Sequence, residues 1–119
     1  MSTTEFPDCL FCKIVAGEIP ATVVAESDEA IAMRDIAPVG PTHVLVIPRR
    51  HVKDATELGI AEAELLGALF ELANQVAKAE GIAESGFRLV ANVGEASGNS
   101  VAHLHLHLVG GRDLAWPPG

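Results

Sequence analysis

His103-Leu104-His105-Leu106-His107-Leu108 alternates a polar ring with an apolar side chain over six residues, and nothing else in the chain restricts the fold as strongly. In a β-strand successive side chains point to opposite faces of the sheet. Three imidazoles therefore share one face, and three leucines point toward whatever covers the other. Solvated faces are usually built from Lys, Glu and Thr, so a row of histidines points to chemistry rather than to solvation. Only five histidines occur in the chain, and three of them are here.

The surrounding pattern predicts one α+β domain. A chain of 119 residues has room for a single modest core, and no linker or repeat divides it. Residues 11–17 read as a short helix ending at Gly17. Thr22–Glu26 and Ala30–Arg34 read as a hairpin, and His43–Ile47 as a central strand stopped by Pro48. Ala61–Glu80 is the main helix. Leu65, Leu69, Leu72 and Val76 recur at helical spacing, Leu66, Phe70 and Ala73 widen the stripe, and Gly81 closes it. Residues 86–93 and 101–109 supply the last two strands. The expected architecture is a five-stranded antiparallel sheet with one long helix laid across Leu104, Leu106 and Leu108, leaving the histidines on the opposite face. Residues 1–8 are expected to be a flexible start and 110–119 a tail.

Charge and composition narrow the partners. Eight basic against sixteen acidic residues give a formal charge of −8, which argues against nucleic-acid polymers and anionic membranes while leaving room for a small anionic ligand. The first residues carry no signal-like pattern, and no apolar run is long enough to cross a bilayer. Cys9 and Cys12 are too close for an ordinary staple, so the reducing cytoplasm is the expected compartment.

Alternating imidazoles allow two chemistries. As ligands, residues two apart on a strand are about 6.5–7 Å apart and converge poorly on one ion. As a nucleophile, a neutral imidazole attacks phosphorus or carbonyl carbon while its neighbours hold its tautomer and bind the phosphoryl oxygens. The polar, glycine-containing segment from Asn92 to Ser100 leads straight into the row, and such loops offer N–H groups and hydroxyls to anions. That position favours the second chemistry.

The histidine row resembles the signature of the histidine triad proteins, nucleotidyl hydrolases and transferases. Asp35-Ile36-Ala37-Pro38, the stretch from Pro41 to His51, and the tail from Gly110-Gly111-Arg112 to Trp116-Pro117-Pro118-Gly119 are similar to the nucleotide-binding Hint branch. The resemblance runs from Cys9 to Gly119. It implies a purine nucleoside phosphoramidase, or a related hydrolase acting on nucleoside monophosphate derivatives. In it His105 attacks the α-phosphorus to form a nucleotidyl-histidine that water hydrolyses, and His107 and Ser100 contact the phosphate or the leaving group. It also implies that Asp35 accepts from the ribose hydroxyls, that Asn92, Gly98 and Asn99 complete the phosphate wall, and that Leu10, Phe11, Ile14, Met33 and Ile36 hold the base. Read from the residues alone, Asp35 caps a turn and the apolar group is ordinary core. His43 receives no role beyond its strand.

The cysteine pair is compatible with a metal half-site, a redox pair or two plain thiols, although no strand precedes Cys9 as a thioredoxin-like unit requires. The resemblance implies structural zinc on Cys9, Cys12, His51 and His103, as in many bacterial triad proteins. This is a departure from the Hint branch, which typically lacks the pair. A homodimer is implied as well, with an ordered tail near the partner's site. Alternatives are a dinucleoside polyphosphate hydrolase, a zinc-stabilised nucleotide-binding or interaction module with little turnover, and a metalloenzyme using all three histidines.

Overall fold

The computed structural model describes residues 6–119. A short helix α1 (Leu10–Val15) precedes the hairpin β1 (Val23–Glu26) and β2 (Ala30–Arg34). Then follow β3 (Thr42–Pro48), the long helix α2 (Ala63–Ala79), β4 (Phe87–Ala91) and β5 (Leu106–Gly110). The five strands form one antiparallel sheet in the order β1-β2-β3-β5-β4, so the chain's last strand is inserted between β3 and β4. This is the α+β architecture expected from the sequence, in a single sheet with one long helix. Of the segment expected to be a flexible start, residues 1–5 lie outside the described residues, and Phe6 stacks its ring on His51.

Helix α2 forms where the periodic leucines recur, with Glu64 in its first turn and Lys78 in its last, each at the end its charge favours. Its C-terminus closes on Gly81, whose φ of +76° is free of the penalty a side chain would bring. Gly81 N–H donates to the Lys78 carbonyl and Ile82 N–H to that of Ala77, which satisfies two of the last helical acceptors. Leu65, Leu69, Leu72, Ala73, Val76 and Ala77 pack into one core with Ala30, Ala32, Val44, Val46, Leu104, Leu106 and Leu108. Phe70, on the flank of the stripe, stays 44% exposed.

The opposite sheet face carries a smaller core in which Ile31, Met33, Leu45 and Ile47 pack against Phe11 of α1. Here the structure departs from the expected strand over 101–109: the ladder begins only at Leu106. Val46 pairs with Leu106, and continuing that register would set Leu104 opposite Pro48, which has no N–H to donate. The Leu104 N–H bonds the Val52 carbonyl instead. The alternation of faces survives, because Leu104 still joins the helix-side core while His103 is buried on the other side.

Candidate active site and metal centre

The three histidines of the row share a face but have separate partners. His105 Nδ1 lies 2.8 Å from the His103 carbonyl oxygen, an acceptor only, so Nδ1 carries the hydrogen and donates it. That leaves Nε2 with its lone pair, the form a nucleophile needs. The edge of Phe11 packs against the ring, with centroids 5.2 Å apart, and holds its plane.

His107 is set by a residue to which the sequence reading assigned no role. Val39 N–H donates to His43 Nδ1 at 3.1 Å, so the hydrogen of a neutral His43 sits on Nε2. That nitrogen is 2.9 Å from His107 Nδ1, and it also lies 3.3 Å from Asp35 Oδ2. His107 Nδ1 accordingly accepts, and its own hydrogen sits on Nε2. Burial holds His107 below the usual imidazole range, helped by His105 and His43 and opposed by Asp35. The chain Val39, His43, His107 thus fixes a hydrogen-bond donor beside His105. Only one signal in the sequence marked His43: a polar ring in an otherwise apolar central strand.

Both rings line a cavity of about 630 Å³. Leu10, Phe11, Ile14, Met33 and Ile36, the apolar set expected to hold a base, all line it, together with Asp35 and Ser100. Asp35 Oδ1 accepts from Ala37 N–H at 2.8 Å, so this carboxylate caps a turn and borders the cavity at once. Asn92, Gly98 and Asn99 fall outside the lining and shape the loop that delivers Ser100. Asn92 Nδ2 donates to the Ser97 carbonyl, Asn99 Oδ1 accepts from Val101 N–H, and Gly98 takes a φ of +87° after the turn Glu95–Ser97.

Behind His105, Cys9, Cys12, His51 and His103 bring one donor atom each to within 4.8 Å of one another. Cys9 is the N-cap of α1, and its sulfur accepts from Cys12 N–H, which places both sulfurs on the same side of the first turn. Cys9 Sγ lies 3.3 Å and Cys12 Sγ 3.4 Å from His103 Nδ1, and Cys12 Sγ lies 3.2 Å from His51 Nδ1. A tetrahedral zinc with bonds of about 2.3 Å to sulfur and 2.0–2.1 Å to nitrogen needs donors roughly 3.3–3.8 Å apart, and these three sulfur–nitrogen separations are near that range. His103 is fully buried, and its Nε2 donates to the Pro48 carbonyl at 3.0 Å, turning Nδ1 toward the sulfurs. Burial lowers its pKa, which favours the neutral ring a metal binds. The histidine row therefore does not converge on one ion: His103 faces the cysteines, His107 faces His43, and His105 stands between.

The HIT domain family matches residues 16–114 of this chain. The chain belongs to the HIT domain family. Among HIT relatives, it is 50% identical over 115 residues to adenylylsulfatase HINT1 of Arabidopsis thaliana, covering 92% of this chain and 76% of that protein. It is 49% identical over 117 residues to a 14 kDa zinc-binding protein of Brassica juncea, covering 94% of this chain and 100% of that one. The crystal structure of a HIT family hydrolase from Legionella pneumophila superposes with a TM-score of 0.90 at 50% identity, covering 93% and 99% of the two chains. No helix among the described residues is long and apolar enough to cross a membrane.

Proposed function

We propose that this HIT protein hydrolyses phosphoramidate or mixed-anhydride bonds to nucleoside 5′-monophosphates, purines preferred, through a nucleotidyl-histidine intermediate on His105. The observation that carries the reading is the hydrogen bond from His105 Nδ1 to the His103 carbonyl, which in a neutral ring puts the lone pair on Nε2 and supports that nitrogen as the nucleophile. Attack forms a P–Nε2 bond and breaks the bond to the leaving group, which takes a proton supplied at His107 Nε2 or Ser100. Water then cleaves the P–Nε2 bond and returns the proton. The apolar slot suits the flat face of a base, and the Asp35 carboxylate at its border, whose oxygens each accept more than one hydrogen bond, suits a ribose hydroxyl. The Arabidopsis relative's name, adenylylsulfatase, fits the anhydride half of this reading.

Cys9, Cys12, His51 and His103 would hold zinc, as the Brassica relative's name fits. Bound there, zinc supplies a structural crosslink between α1 and the sheet. His103 then serves by ligation and by presenting its carbonyl to His105. A homodimer is supported by three features: β4 lies at the open edge of the sheet, Phe70 is 44% exposed, and Trp116 in the tail is 81% exposed. Two free thiols fit the reducing cytoplasm.

The test is hydrolysis of adenosine 5′-phosphoramidate by the protein and by His105→Ala, with zinc content and circular dichroism recorded for both. Loss of turnover by about a thousandfold or more, with fold and metal retained, is the expected result. Equal turnover in the two proteins rules out His105 as the nucleophile.

A further inference from the structure

The hydrogen-bonded series Val39, His43, His107 begins at a backbone N–H, so it is only as well defined as the segment carrying that N–H. Val39 lies between β2 and β3 and is 57% exposed. Its neighbours Pro38 and Pro41 have no N–H to donate, which leaves the segment few ways to hold itself. At its base Asp35 N–H donates to the His43 carbonyl at 3.0 Å, and Asp35 Oδ1 accepts from Ala37 N–H. Its outer side is held from the other end of the chain. Strand β5 ends at Gly110, Gly111 turns with a φ of +87°, and Arg112 reaches back. Arg112 Nε then donates to the Val39 carbonyl at 2.8 Å. The approach is close enough to favour glycine on both sides. A Cβ on Gly111 would meet Pro41 Cβ at 2.8 Å, and one on Gly40 would meet the Gly110 carbonyl oxygen at 3.2 Å.

Val39 thus makes two bonds at once, its N–H to His43 Nδ1 and its carbonyl to Arg112 Nε. They lie on either side of one Cα, and Gly40 just beyond them resists rotation little. We propose that Arg112, the first side chain of the tail, is a positioning residue for the reaction: through Val39 it keeps the hydrogen of His43 on Nε2, and so keeps His107 a donor. This rests on the hydrolytic reading above and adds a residue to the same site. Without the arginine the Val39 peptide swings away for part of the time, and His43 Nδ1 is free to carry the hydrogen. His43 Nε2 is then bare toward His107 Nδ1, which takes up a hydrogen in turn, and His107 Nε2 loses its own. Asp35 Oδ2, 3.3 Å from His43 Nε2, also favours the hydrogen there, so the exchange of tautomers is partial. Arg88 provides a contrast, because its Nη2 bonds the tail at the Ala115 carbonyl, 2.7 Å away, and not at Val39.

The experiment reads the ring nitrogens directly, by 15N NMR of histidine-labelled protein at a pH where the rings are neutral. Bare and protonated ring nitrogens resonate far apart, and exchange between tautomers draws the two signals of a ring together. In Arg112→Ala the paired signals of His43 and His107 converge. Those of His105, held by the His103 carbonyl, stay where they are and show that the fold persists. Arg88→Ala moves none of them. With adenosine 5′-phosphoramidate, kcat of Arg112→Ala falls about three- to tenfold, the worth of one hydrogen bond, while KM changes by less than about twofold. In a His43→Phe background the same substitution changes kcat by less than about twofold, because the path it acts through is gone. His43 and His107 signals unmoved by Arg112→Ala, or moved equally by Arg88→Ala, overturn the proposal. So does an undiminished loss of kcat in the His43→Phe background. The nitrogen signals need no substrate, so they decide the role of Arg112 even if the phosphoramidate is not turned over, a result that overturns the hydrolytic reading alone.

Discussion

Replacing His43 by Phe keeps a ring of similar size in β3 but removes both nitrogens of the relay. Two polar groups then lose their partner: His107 Nδ1, half-buried, and the Val39 N–H, which sits in an exposed segment. The first costs about 1–3 kcal/mol and the second less, because water reaches it. A total of about 2 kcal/mol lowers Tm by roughly 8 °C in a chain of this size. The effect on turnover is separate. Without a hydrogen arriving from His43, nothing obliges His107 to keep its own on Nε2, and the donor facing the phosphate is lost part of the time. General-acid contributions are about 10²–10⁴-fold, so a fall in kcat of between tenfold and a hundredfold is expected. His43→Gln, whose amide both donates and accepts, recovers part of it. Urea unfolding and steady-state hydrolysis of adenosine 5′-phosphoramidate read the two effects independently. A His43→Phe protein that loses stability but keeps full kcat would refute the relay and leave His43 a packing residue.

Other outcomes follow from the same structure. Cys12→Ser removes a buried sulfur donor, so zinc content measured by atomic absorption falls and stability drops by about 2–4 kcal/mol, with chelation of the unaltered protein giving a similar loss in a thermal melt. Leu69→Ala, at a position 1% exposed in the helix-side core, costs about 2–5 kcal/mol in urea. Phe70→Ala costs well under half of that within the subunit and weakens the proposed homodimer in sedimentation equilibrium. Glu80 Oε2 accepts from Arg34 Nη2 at 3.0 Å, and this pairing holds the Glu80 carboxyl below its ordinary range. A carboxylate with a lowered folded pKa contributes stability above its unfolded value and loses it as pH falls through the folded one. Glu80→Gln therefore flattens the acid side of the stability profile, by under about 1 kcal/mol because the pair is partly exposed.

The elements whose packing depends on local periodicity were legible in the sequence. The leucine spacing of α2 and the His-Leu alternation each specify one buried face, and both faces are where they were expected. The order of the strands was not legible, since the insertion of β5 between β3 and β4 rests on pairings between distant residues. Nor was the late start of β5, which depends on Pro48 meeting Leu104 across the sheet. At the site, Cys9, Cys12, His51 and His103 lie together, and Asp35, Ser100, His105 and His107 line one cavity. His43 escaped because its importance lies in a contact 64 positions away along the chain. Asn92, Gly98 and Asn99 bond within their own loop, a local pattern that a list of family positions does not convey.

Strand β5 is hydrogen-bonded on both sides, so the backbone that carries His107 cannot shift without breaking two ladders. The His105 ring is likewise tied to the chain itself, through the His103 carbonyl. By contrast, α1 and the loop from Asn92 to Val101 bring Leu10, Phe11, Ile14, Ser100 and Val101 to the cavity wall without pairing in the sheet. The rings that face the cavity are thus carried by paired backbone, and part of the apolar wall by unpaired backbone. Exchanging Leu10 or Ile14 for other apolar residues should change which molecules fit while leaving Cys9, Phe11, Cys12 and Ser100 in place, which makes this small domain suited to directed evolution at single wall positions.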